Sequence, residues 1–410
     1  MRKRIKEICD YVSRGCAPNY VDESPYAVMN QATFSKGFID RDKIRYSSKN
    51  PSDALICKGD LLMASTGGGV LGKVFYFDLE DLNFYADSHV SILRNSKGKN
   101  DMKFLYYYFS TKYEEINATM VKGSTNQTEL QRNYLLMHTV DIPSIEKQKK
   151  IVAYLDKQVN LINIRICLRE RELQLLNELK RSEIDSVVTR GLDPDMPMKD
   201  SGIDWIGQIP AHWKIRRLKE VGNLQLGKML KNDPGPGEQL KPYLKSKNIQ
   251  WLKLDLTNVE EMWFSLHEIN RLKLRKGDIL YSEGGEVGKC AMWKEELDEC
   301  YIQNSVHKFT PAKGIDGRFI LYLSFCMGRS GYFDSIVNLV SIKHLTFEKL
   351  RRVELPIPPL SEQKEIADYL DNKLKSIDII LDNINTQIEK LKLLKKALIN
   401  EVITGRRPIQ

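Results

Sequence analysis

Two long stretches of the chain carry apolar residues at spacings of three and four positions, with Lys, Arg and Glu between them. This period is typical of an amphipathic helix with a heptad-like seam. Pro143 and Pro358 precede the two helices, and no proline interrupts either helix until Pro194 and Pro408, so each helix should run for about 40 residues. The seam of the first stretch comprises Ile151, Leu155, Ile162, Ile166, Leu173, Leu176, Ile184 and Val187. The seam of the second comprises Ile377, Leu381, Ile384, Ile388, Leu391, Leu394, Leu398 and Val402.

A single amphipathic helix of this length would leave its apolar stripe in water, so each stripe needs a partner. The two helices are the obvious partners for each other, and we expect them to pair within the chain. The alternatives are that each helix packs on its own globular region or pairs with another chain. The pattern alone leaves the direction open, because an antiparallel pair would separate the two globular regions and a parallel pair would place them side by side.

The two stretches belong to a longer internal repeat. Ile142–Asp156 matches Ile357–Asp371, and the match continues without a gap as far as Thr189 and Thr404. Because the repeat is half the chain, a whole module is duplicated and not a short solenoid unit. Two similar modules suggest two similar binding events on one partner.

The regions before the helices repeat only in outline. Short apolar runs at Asp60–Ala64 and Asp278–Ser282 predict strands followed by glycine-rich turns. Their surroundings differ widely, as expected if the globular regions bind different targets while the helices serve one purpose. The segment 191–208 is rich in Pro, Gly and Asp and predicts a linker. The predicted fold class is α+β.

The amino-acid composition limits the number of domains and the class of partner. The 410 residues are 42% hydrophobic, enough for two or three domains with cores of their own. The net charge of +9 suits a polyanion such as nucleic acid, although this signal is weak by itself. The sequence has no apolar run of about 18 residues, so we expect a cytoplasmic location. Seven scattered cysteines without a CxxC pair predict free thiols.

One segment imitates a catalytic motif. Gly67–Lys73 has the glycine and lysine spacing of a phosphate-binding P-loop, but Val74 replaces the Ser or Thr that would bind magnesium, and a predicted strand follows. Its counterpart Gly284–Lys289 is one residue shorter. We therefore expect a structural turn and no ATP binding. HExxH, GxSxG and Asn-Pro-Pro-aromatic motifs are absent from the sequence, so no catalytic residue and no metal ligand is predicted.

Several polar segments suit DNA. Arg and Lys can bind guanine or phosphate, and Asn and Gln can pair with adenine. For any single residue, the alternative is an exposed loop that touches nothing. The candidate DNA-binding residues are Lys36, Arg41, Lys43, Arg45, Ser124, Thr125, Asn126, Gln127, Lys245, Lys247, Asn248, Ser341, Lys343 and His344.

The chain resembles the specificity subunits of type I restriction-modification enzymes over nearly its whole length. The resemblance rests on Ile357–Ile366, on its copy Ile142–Ile151, and on Trp205–Trp213, which opens the second module. It implies two target recognition domains that each bind half of a split DNA sequence, and two spacer helices that pair antiparallel with pseudo-two-fold symmetry. The implied divisions are target recognition domains at 1–141 and 209–355, spacer helix regions at 142–190 and 356–410, and the linker at 191–208.

The resemblance also implies partners. The spacer helices would dock two methyltransferase subunits, and restriction subunits would join through the complex. S-adenosylmethionine, ATP and Mg²⁺ would be used by those other subunits, with no cofactor and no catalysis in this chain. A stand-alone sequence-specific DNA-binding regulator is the alternative function.

This chain departs from the family pattern in two places. The first module starts almost directly at Arg4, without an Ile-Pro-x-x-Trp opening, which indicates a shortened or rearranged version. Gly123-Ser124-Thr125 becomes Leu339-Val340-Ser341 in the second module.

Overall fold

The computed structural model describes residues 1–49, 52–80, 83–122, 128–337 and 344–409. The chain divides into two compact units, of which unit 1 comprises Met1–Glu170 with Thr386–Gln410, and unit 2 comprises Arg171–Asn385. Each unit contains one globular domain of strands and short helices together with segments of two long helices. Among the described residues, no helix is both long enough and apolar enough to cross a membrane.

Domain 1, the globular part of unit 1, is built from short strands and helices. Its strands are β1 (Arg2–Arg4), β2 (Tyr11–Arg14), β3 (Tyr20–Val21), β4 (Ala27–Met29), β5 (Arg45–Ser47), β6 (Leu61–Ala64), β7 (Val74–Tyr76), β8 (Phe84–Ala86), β9 (Val90–Arg94), β10 (Val121–Lys122), β11 (Glu129–Leu130) and β12 (Thr139–Asp141). Its α-helices are α1 (Ile5–Ile8), α2 (Gln31–Phe34), α3 (Met102–Ser110), α4 (Tyr113–Thr119) and α5 (Arg132–Met137), with 3₁₀ turns at Arg41–Lys43 and Ser52–Ala54. The long helix α6 (Ile145–Arg190) follows.

Two four-stranded sheets form the centre of domain 1. One has the antiparallel order β2-β9-β6-β7, and the other has the order β3-β5-β4-β8 with β4 and β8 parallel. Aromatic and branched residues face each other between the sheets, and Leu62, Phe77, Phe84 and Ile92 are almost fully buried there. These are the side chains that favour a pleated, buried surface.

Domain 2, the globular part of unit 2, has corresponding elements. Its strands are β13 (Met198–Asp200), β14 (Gln208–Pro210), β15 (Lys214–Arg217), β16 (Gly222–Leu226), β17 (Gln239–Leu244), β18 (Ile249–Gln250), β19 (Lys253–Leu254), β20 (Glu260–Phe264), β21 (Ile279–Ser282), β22 (Cys290–Met292), β23 (Tyr301–Ile302), β24 (Val306–Pro311) and β25 (Glu354–Ile357). Its helices are α7 (Leu218–Val221), α8 (Leu266–Leu272), α9 (Gly317–Arg329), α10 (Tyr332–Ile336) and α11 (Phe347–Leu350), with a 3₁₀ turn at Ser246–Asn248. The second long helix is α12 (Leu360–Ile403).

The sheets of domain 2 repeat the order found in domain 1. The antiparallel sheet β16-β24-β21-β22 corresponds to β2-β9-β6-β7, and the sheet β20-β17-β23 corresponds to β5-β4-β8, again with its last pair parallel. The faint sequence match between the globular regions therefore reflects one topology used twice.

The long helices run antiparallel within each unit, which confirms the orientation implied by the resemblance. In unit 1, Ile151 lies in one groove with Val402, and twelve positions further along α6 Lys395 donates a 3.0 Å hydrogen bond to Asn163. In unit 2, Lys180 donates to Asp378 at 2.6 Å, and the later residue Glu183 of α6 accepts from the earlier residue Tyr369 of α12.

One predicted seam residue does not lie on the seam. Leu394 is 50% exposed, whereas Ile388, Leu398 and Val402 are buried. The seam passes through Lys395 instead, whose half-buried ammonium binds Asn163, so the spacing of three and four is kept with a polar residue at one position. Burial lowers the pKa of Lys395.

The segment 191–208 is tied to domain 2. Its strand β13 pairs with β14 over Met198–Asp200, and Trp205 and Ile206 pack against the apolar core of unit 2. Trp213, just after this segment, is fully buried in the same core.

The glycine-rich segment that imitates a P-loop is a turn between the antiparallel strands β6 and β7, as the sequence predicts. Gly72 has a φ of +84°, and a Cβ there would lie 2.9 Å from Ile116, so the turn requires glycine. The seven cysteines are free thiols, which confirms that prediction.

Candidate nucleic-acid interface

In each unit one glutamine joins a long helix to the globular domain. Gln148 is 1% exposed, its Oε1 accepts a 2.8 Å hydrogen bond from the backbone N–H of Asp101, and its Nε2 donates to the carbonyl of Pro143 at 2.9 Å. Gln363 makes the same two bonds at the same distances, to Asp316 and to the matching Pro358 carbonyl. Asp101 and Asp316 are the N-cap residues of α3 and α9. Each glutamine therefore fixes the start of a domain helix against its own long helix.

An aspartate of the long helix, eight residues after each glutamine, adds to this tether. The hydroxyl of Tyr107 donates to Asp156 at 2.6 Å, and the hydroxyl of Tyr322 donates to Asp371 at 2.5 Å. A basic residue four positions before each tyrosine donates to the same aspartate, at 2.8 Å in unit 1 and 2.7 Å in unit 2. Burial, with the neighbouring carboxylate, raises the pKa of both tyrosines. Both domains are held on the helices by the same chemistry.

Several loops of domain 1 meet at one end of the sheet β2-β9-β6-β7. Cys16 forms a β-bridge with Asp87, and Thr66 forms one with Glu129. The Thr66 hydroxyl also lies 2.7 Å from Nδ1 of the exposed His89. The loops after β2, β6 and β8 and the start of β11 therefore form one surface.

One cationic group at this end is Arg45. Its guanidinium lies 4.9 Å from the ring centroid of Tyr20, and both side chains are exposed. The hydroxyl of Tyr20 lies 3.4 Å from Oδ2 of Asp87, which is 2% exposed. Burial raises the pKa of Asp87. An exposed guanidinium on an aromatic ring can bind a phosphate or a guanine edge and can stack on a base.

The other described candidates of domain 1 lie in the segment that precedes β5. Lys36 forms a 3.0 Å ion pair with Asp40, four positions away. Arg41 and Lys43 lie exposed in a 3₁₀ turn. Arg45 is connected to the loop surface through Tyr20. The remaining candidates, Ser124, Thr125, Asn126 and Gln127, lie outside the described residues.

The corresponding loops of domain 2 meet in the same way. Gly227 lies so close to Gln303 that a Cβ would be 2.3 Å from the Gln303 carbonyl oxygen. The backbone N–H of Glu283 donates to Ser305 at 2.9 Å, and that of Leu345 donates to Glu283 at 2.8 Å. The loops after β16, β21 and β23 therefore converge on the residues just before α11.

Three candidate DNA-binding residues of domain 2 form ion pairs or hydrogen bonds within the domain. Lys245 and Lys247 lie 2.5 and 3.3 Å from one carboxylate oxygen of Glu260. Hydrogen bonds from Lys245 and from a neighbouring tyrosine lower the pKa of Glu260 to about 2. Asn248 is 3% exposed, and its amide donates to the carbonyl of Asp255 at 2.9 Å. Asn248 closes a turn and is poorly placed to contact a base.

The last candidate of domain 2 is at the loop surface. His344 is exposed, and its ring lies beside Gly284 of the glycine turn. Ser341 and Lys343 lie outside the described residues.

Two residues that the sequence reasoning missed stand out at the same end of domain 2. Met229 is 74% exposed and Leu230 is 52% exposed, in the loop that begins at Gly227. Ion pairs fix this loop, since Lys228 lies 2.6 Å from Glu268 and the lysine after Leu230 lies 2.7 Å from Glu238. The signal in the sequence is an apolar pair between two lysines directly after a strand. Apolar side chains of this kind contact thymine methyl groups or wedge between base steps.

The long helices carry a second set of exposed apolar residues that is itself duplicated. Ile164 of unit 1 corresponds to Ile379 of unit 2, and Leu394 of unit 1 corresponds to Leu179 of unit 2. All four side chains are exposed. Each is adjacent in sequence to a residue of the hydrogen bond between the helices, so both units present the same apolar pair around the same polar contact.

Comparison with known proteins agrees with this architecture. The family model described as type I restriction modification DNA specificity domain matches residues 1–175 and 210–390. The type I restriction enzyme MjaVIII specificity subunit of Methanocaldococcus jannaschii is 25% identical over 365 residues, covering 86% of this chain and 80% of the relative. The putative MjaX specificity subunit of the same organism is 24% identical over 415 residues, covering 98% and 92%.

A solved structure supports the fold. A chain from a study of complex assembly and conformational transition of the type I R-M system superposes with a TM-score of 0.72 at 17% identity, covering 98% of this chain and 97% of its own length. Two globular domains tethered by the same contacts to antiparallel helices define a duplicated DNA-binding protein. The chain belongs to the type I restriction-modification DNA specificity family, and it is a specificity subunit.

Proposed function

We propose that this chain selects a bipartite DNA site, with one half-site bound by each globular domain, and docks two methyltransferase subunits on its long helices. The observation that carries the proposal is the duplicated tether. Asp101 with Gln148, and Asp316 with Gln363, hold two domains of one topology on the helices in the same manner. Two domains that are attached to the long helices by the same hydrogen bonds are suited to bind two half-sites of one DNA duplex.

The half-sites are different sequences. At the loop end of domain 1 the described exposed groups include Tyr20 with Arg45 and His89, whereas those of domain 2 include Met229 with Leu230 and His344. A guanidinium favours guanine, and apolar side chains favour thymine methyl groups. The two domains therefore have one scaffold and different recognition chemistry.

The duplicated apolar pairs support two copies of one docking partner. Ile164 with Leu394, and Ile379 with Leu179, offer the same side chains on the same helix faces of the two units. Exposed apolar residues on a paired helix surface mark an interaction site when they are grouped. One methyltransferase subunit on each unit accounts for the repetition.

The chemistry belongs to the other subunits of the complex. Methylation of a base requires that the base leave the stack and enter a pocket, which is the task of the methyltransferase subunits. Those subunits bind S-adenosylmethionine, and the restriction subunits, which join through the assembled complex, use ATP and Mg²⁺. This chain contributes recognition and geometry without catalysis, in the cytoplasm where the DNA lies.

A test of the proposal changes the length of both helices together. Asn177 and Asp382 line one groove of unit 2, so seven residues inserted after Leu176 and seven after Asp382 lengthen the pair at matched positions and keep the heptad phase. At about 1.5 Å per residue this adds roughly 10 Å, or about three base pairs. The methylated site of the assembled enzyme should keep both half-sequences and gain about three base pairs between them.

The control carries the same seven residues in the exposed turn after Lys313, where Gly314 faces open space. The control should keep the original gap. An unchanged gap in the doubly lengthened protein would contradict the proposal, and tight sequence-specific binding of a continuous site by the isolated chain would favour a stand-alone regulator.

A further inference from the structure

The docking faces of the two units differ in charge. In unit 1 the paired helices form a groove of about 610 Å³ beside Leu394, one of the exposed apolar residues of the docking face. Its lining combines the basic residues Arg165 and Arg169 of α6 and Lys390 of α12 with leucines such as Leu168. Cations and apolar side chains therefore share the surface to which we assign a methyltransferase subunit.

The internal repeat shows which residues take these places in unit 2. Ile380 corresponds to Arg165, and Leu175 corresponds to Lys390. All four side chains are exposed, so the difference between the units lies on the surface and not in a core. The matching positions are cationic in unit 1 and apolar in unit 2.

The wider surroundings of the groove carry the same difference. Segments 157–170 and 386–396 of unit 1 contain seven Lys and Arg against two Glu, whereas the matching segments 372–385 and 171–181 of unit 2 contain five against four acidic residues. The excess of positive charge on the long helices therefore belongs to unit 1. Two copies of one partner meet a cationic site on unit 1 and a nearly neutral, more apolar site on unit 2.

We infer that the two docking sites hold the same methyltransferase subunit by different forces, and that its apolar docking surface is edged by acidic residues. On unit 1 these acids form ion pairs with Arg165 and Lys390. On unit 2 the same surface contacts Ile380 and Leu175, which offer no charge. The inference rests on the docking role proposed above.

The mixed lining of the groove specifies this occupant. The backbone of a nucleic acid is bound by positive charge and gains little from leucines, whereas a protein surface with acids around an apolar centre is complementary to both. Ion pairs at an exposed site are screened by salt, and apolar contacts are not. Binding on unit 1 is therefore salt-dependent, and binding on unit 2 is nearly independent of salt.

The test measures each site separately in the full-length chain. Leu179→Asp with Ile379→Asp leaves the site of unit 1, and Ile164→Asp with Leu394→Asp leaves the site of unit 2. The purified methyltransferase subunit is titrated into each protein by calorimetry at about 0.1 M and about 1 M sodium chloride, between which the Debye length falls from about 10 Å to about 3 Å. The Kd on unit 1 should rise at least about fivefold, which is the combined effect of two or three exposed ion pairs, and that on unit 2 less than about twofold.

Exchanging residues between the units identifies the cause of the difference. In the protein that keeps only the site of unit 1, Arg165→Ile with Lys390→Leu introduces the residues of unit 2 and should remove most of the salt dependence. In the protein that keeps only the site of unit 2, Ile380→Arg with Leu175→Lys should confer a salt dependence. Circular dichroism checks that each variant is folded.

The matched control removes two positive charges outside the groove. Lys157→Asn with Lys392→Asn also introduces the residues of unit 2 at exposed positions, and it should keep the salt dependence of unit 1. Equal salt dependence of the two sites, or an unchanged dependence after the exchange in unit 1, would overturn the inference and leave the docking role intact. If the exchange in unit 1 weakened DNA binding of the assembled complex and not the docking, the groove would belong to DNA and the inference would be wrong. Absence of binding to the unmodified chain would refute the docking role itself, and the inference with it.

Discussion

Lys180 donates a 2.6 Å hydrogen bond to Asp378 between the long helices of unit 2, and the duplicated positions in unit 1 repeat this contact, with Lys395 donating to Asn163 at 3.0 Å. The repetition of a polar contact inside a seam has a consequence for assembly. A hydrogen bond between two paired helices favours one register, since any other register breaks it. The exposed apolar pairs next to these contacts are thereby held at equivalent places in both units.

The first prediction concerns docking. Ile379→Asp combined with Leu179→Asp should remove one methyltransferase subunit and leave the other, because a charge in an apolar interface stays unpaired when it is buried. Native mass spectrometry of the co-expressed complex should show one methyltransferase subunit per chain in place of two. Lys375→Asp, an exposed change on the same helix, should leave two. Retention of two subunits in the double variant would rule out this surface.

The tether predicts a stability effect. Gln363→Ala leaves the backbone N–H of Asp316 and the carbonyl of Pro358 buried without partners, which should lower the free energy of unfolding by about 1–3 kcal/mol or more. Gln363→Glu keeps an acceptor for Asp316 but places a buried carboxylate against the carbonyl of Pro358, so it should lower the free energy of unfolding at least as much as Gln363→Ala. Urea denaturation followed by tryptophan fluorescence measures the difference. A change below about 0.5 kcal/mol in Gln363→Ala would show that the bonds are unimportant.

Arg45 should determine bases in one half-site. Arg45→Ala in the assembled complex should reduce discrimination at one position of the half-site bound by domain 1 by about 1–3 kcal/mol, while discrimination in the other half-site stays unchanged. Lys43→Ala, two positions away and also exposed, provides the control. A lysine that contacts phosphate contributes equally to all sequences. Lys43→Ala should therefore leave base discrimination unchanged and at most weaken binding uniformly, with a flatter salt dependence. Equal effects of the two variants on all bases would contradict a recognition role for Arg45.

A buried histidine predicts a pH dependence of stability. His307 is fully buried, Nε2 lies 2.7 Å from the carbonyl of Leu345, and burial lowers its pKa in the folded protein. Below a pH of about 6.5 the imidazole of His307 binds a proton in the unfolded chain but stays neutral in the folded chain. The free energy of unfolding should therefore fall as the pH drops, by at most about 1.4 kcal/mol per pH unit. His307→Gln should remove this contribution. The same pH dependence of the free energy of unfolding in both proteins between pH 5 and 8 would contradict this role of His307.

The helices and their duplication could be predicted because their signals are local and periodic. The assignment of Leu394 to the seam was wrong because the seam accepts Lys395, a polar residue whose partner Asn163 lies far away in sequence. The tether could not be predicted from the sequence for a similar reason, since Gln148 and Asp101 are 47 residues apart and no sequence rule pairs them.

The candidate DNA-binding residues were harder to predict than the fold. Residue type suggested Asn248 and Lys245, but whether a polar side chain points outward depends on neighbours such as Asp255 and Glu260, which the turn brings close. Met229 was missed because apolar residues are normally assigned to a core. Exposure at a loop end is a tertiary property that residue type does not report.

Methylome sequencing of cells that express this chain with its methyltransferase subunits tests the central claim most directly. The account predicts methylation within a motif of two different half-sequences separated by a gap of fixed length, with the half-sites roughly one turn of the duplex apart. Arg45→Ala should relax one half-sequence and leave the other half and the gap intact. A continuous motif, or a motif that persists when this chain is deleted, would contradict the account.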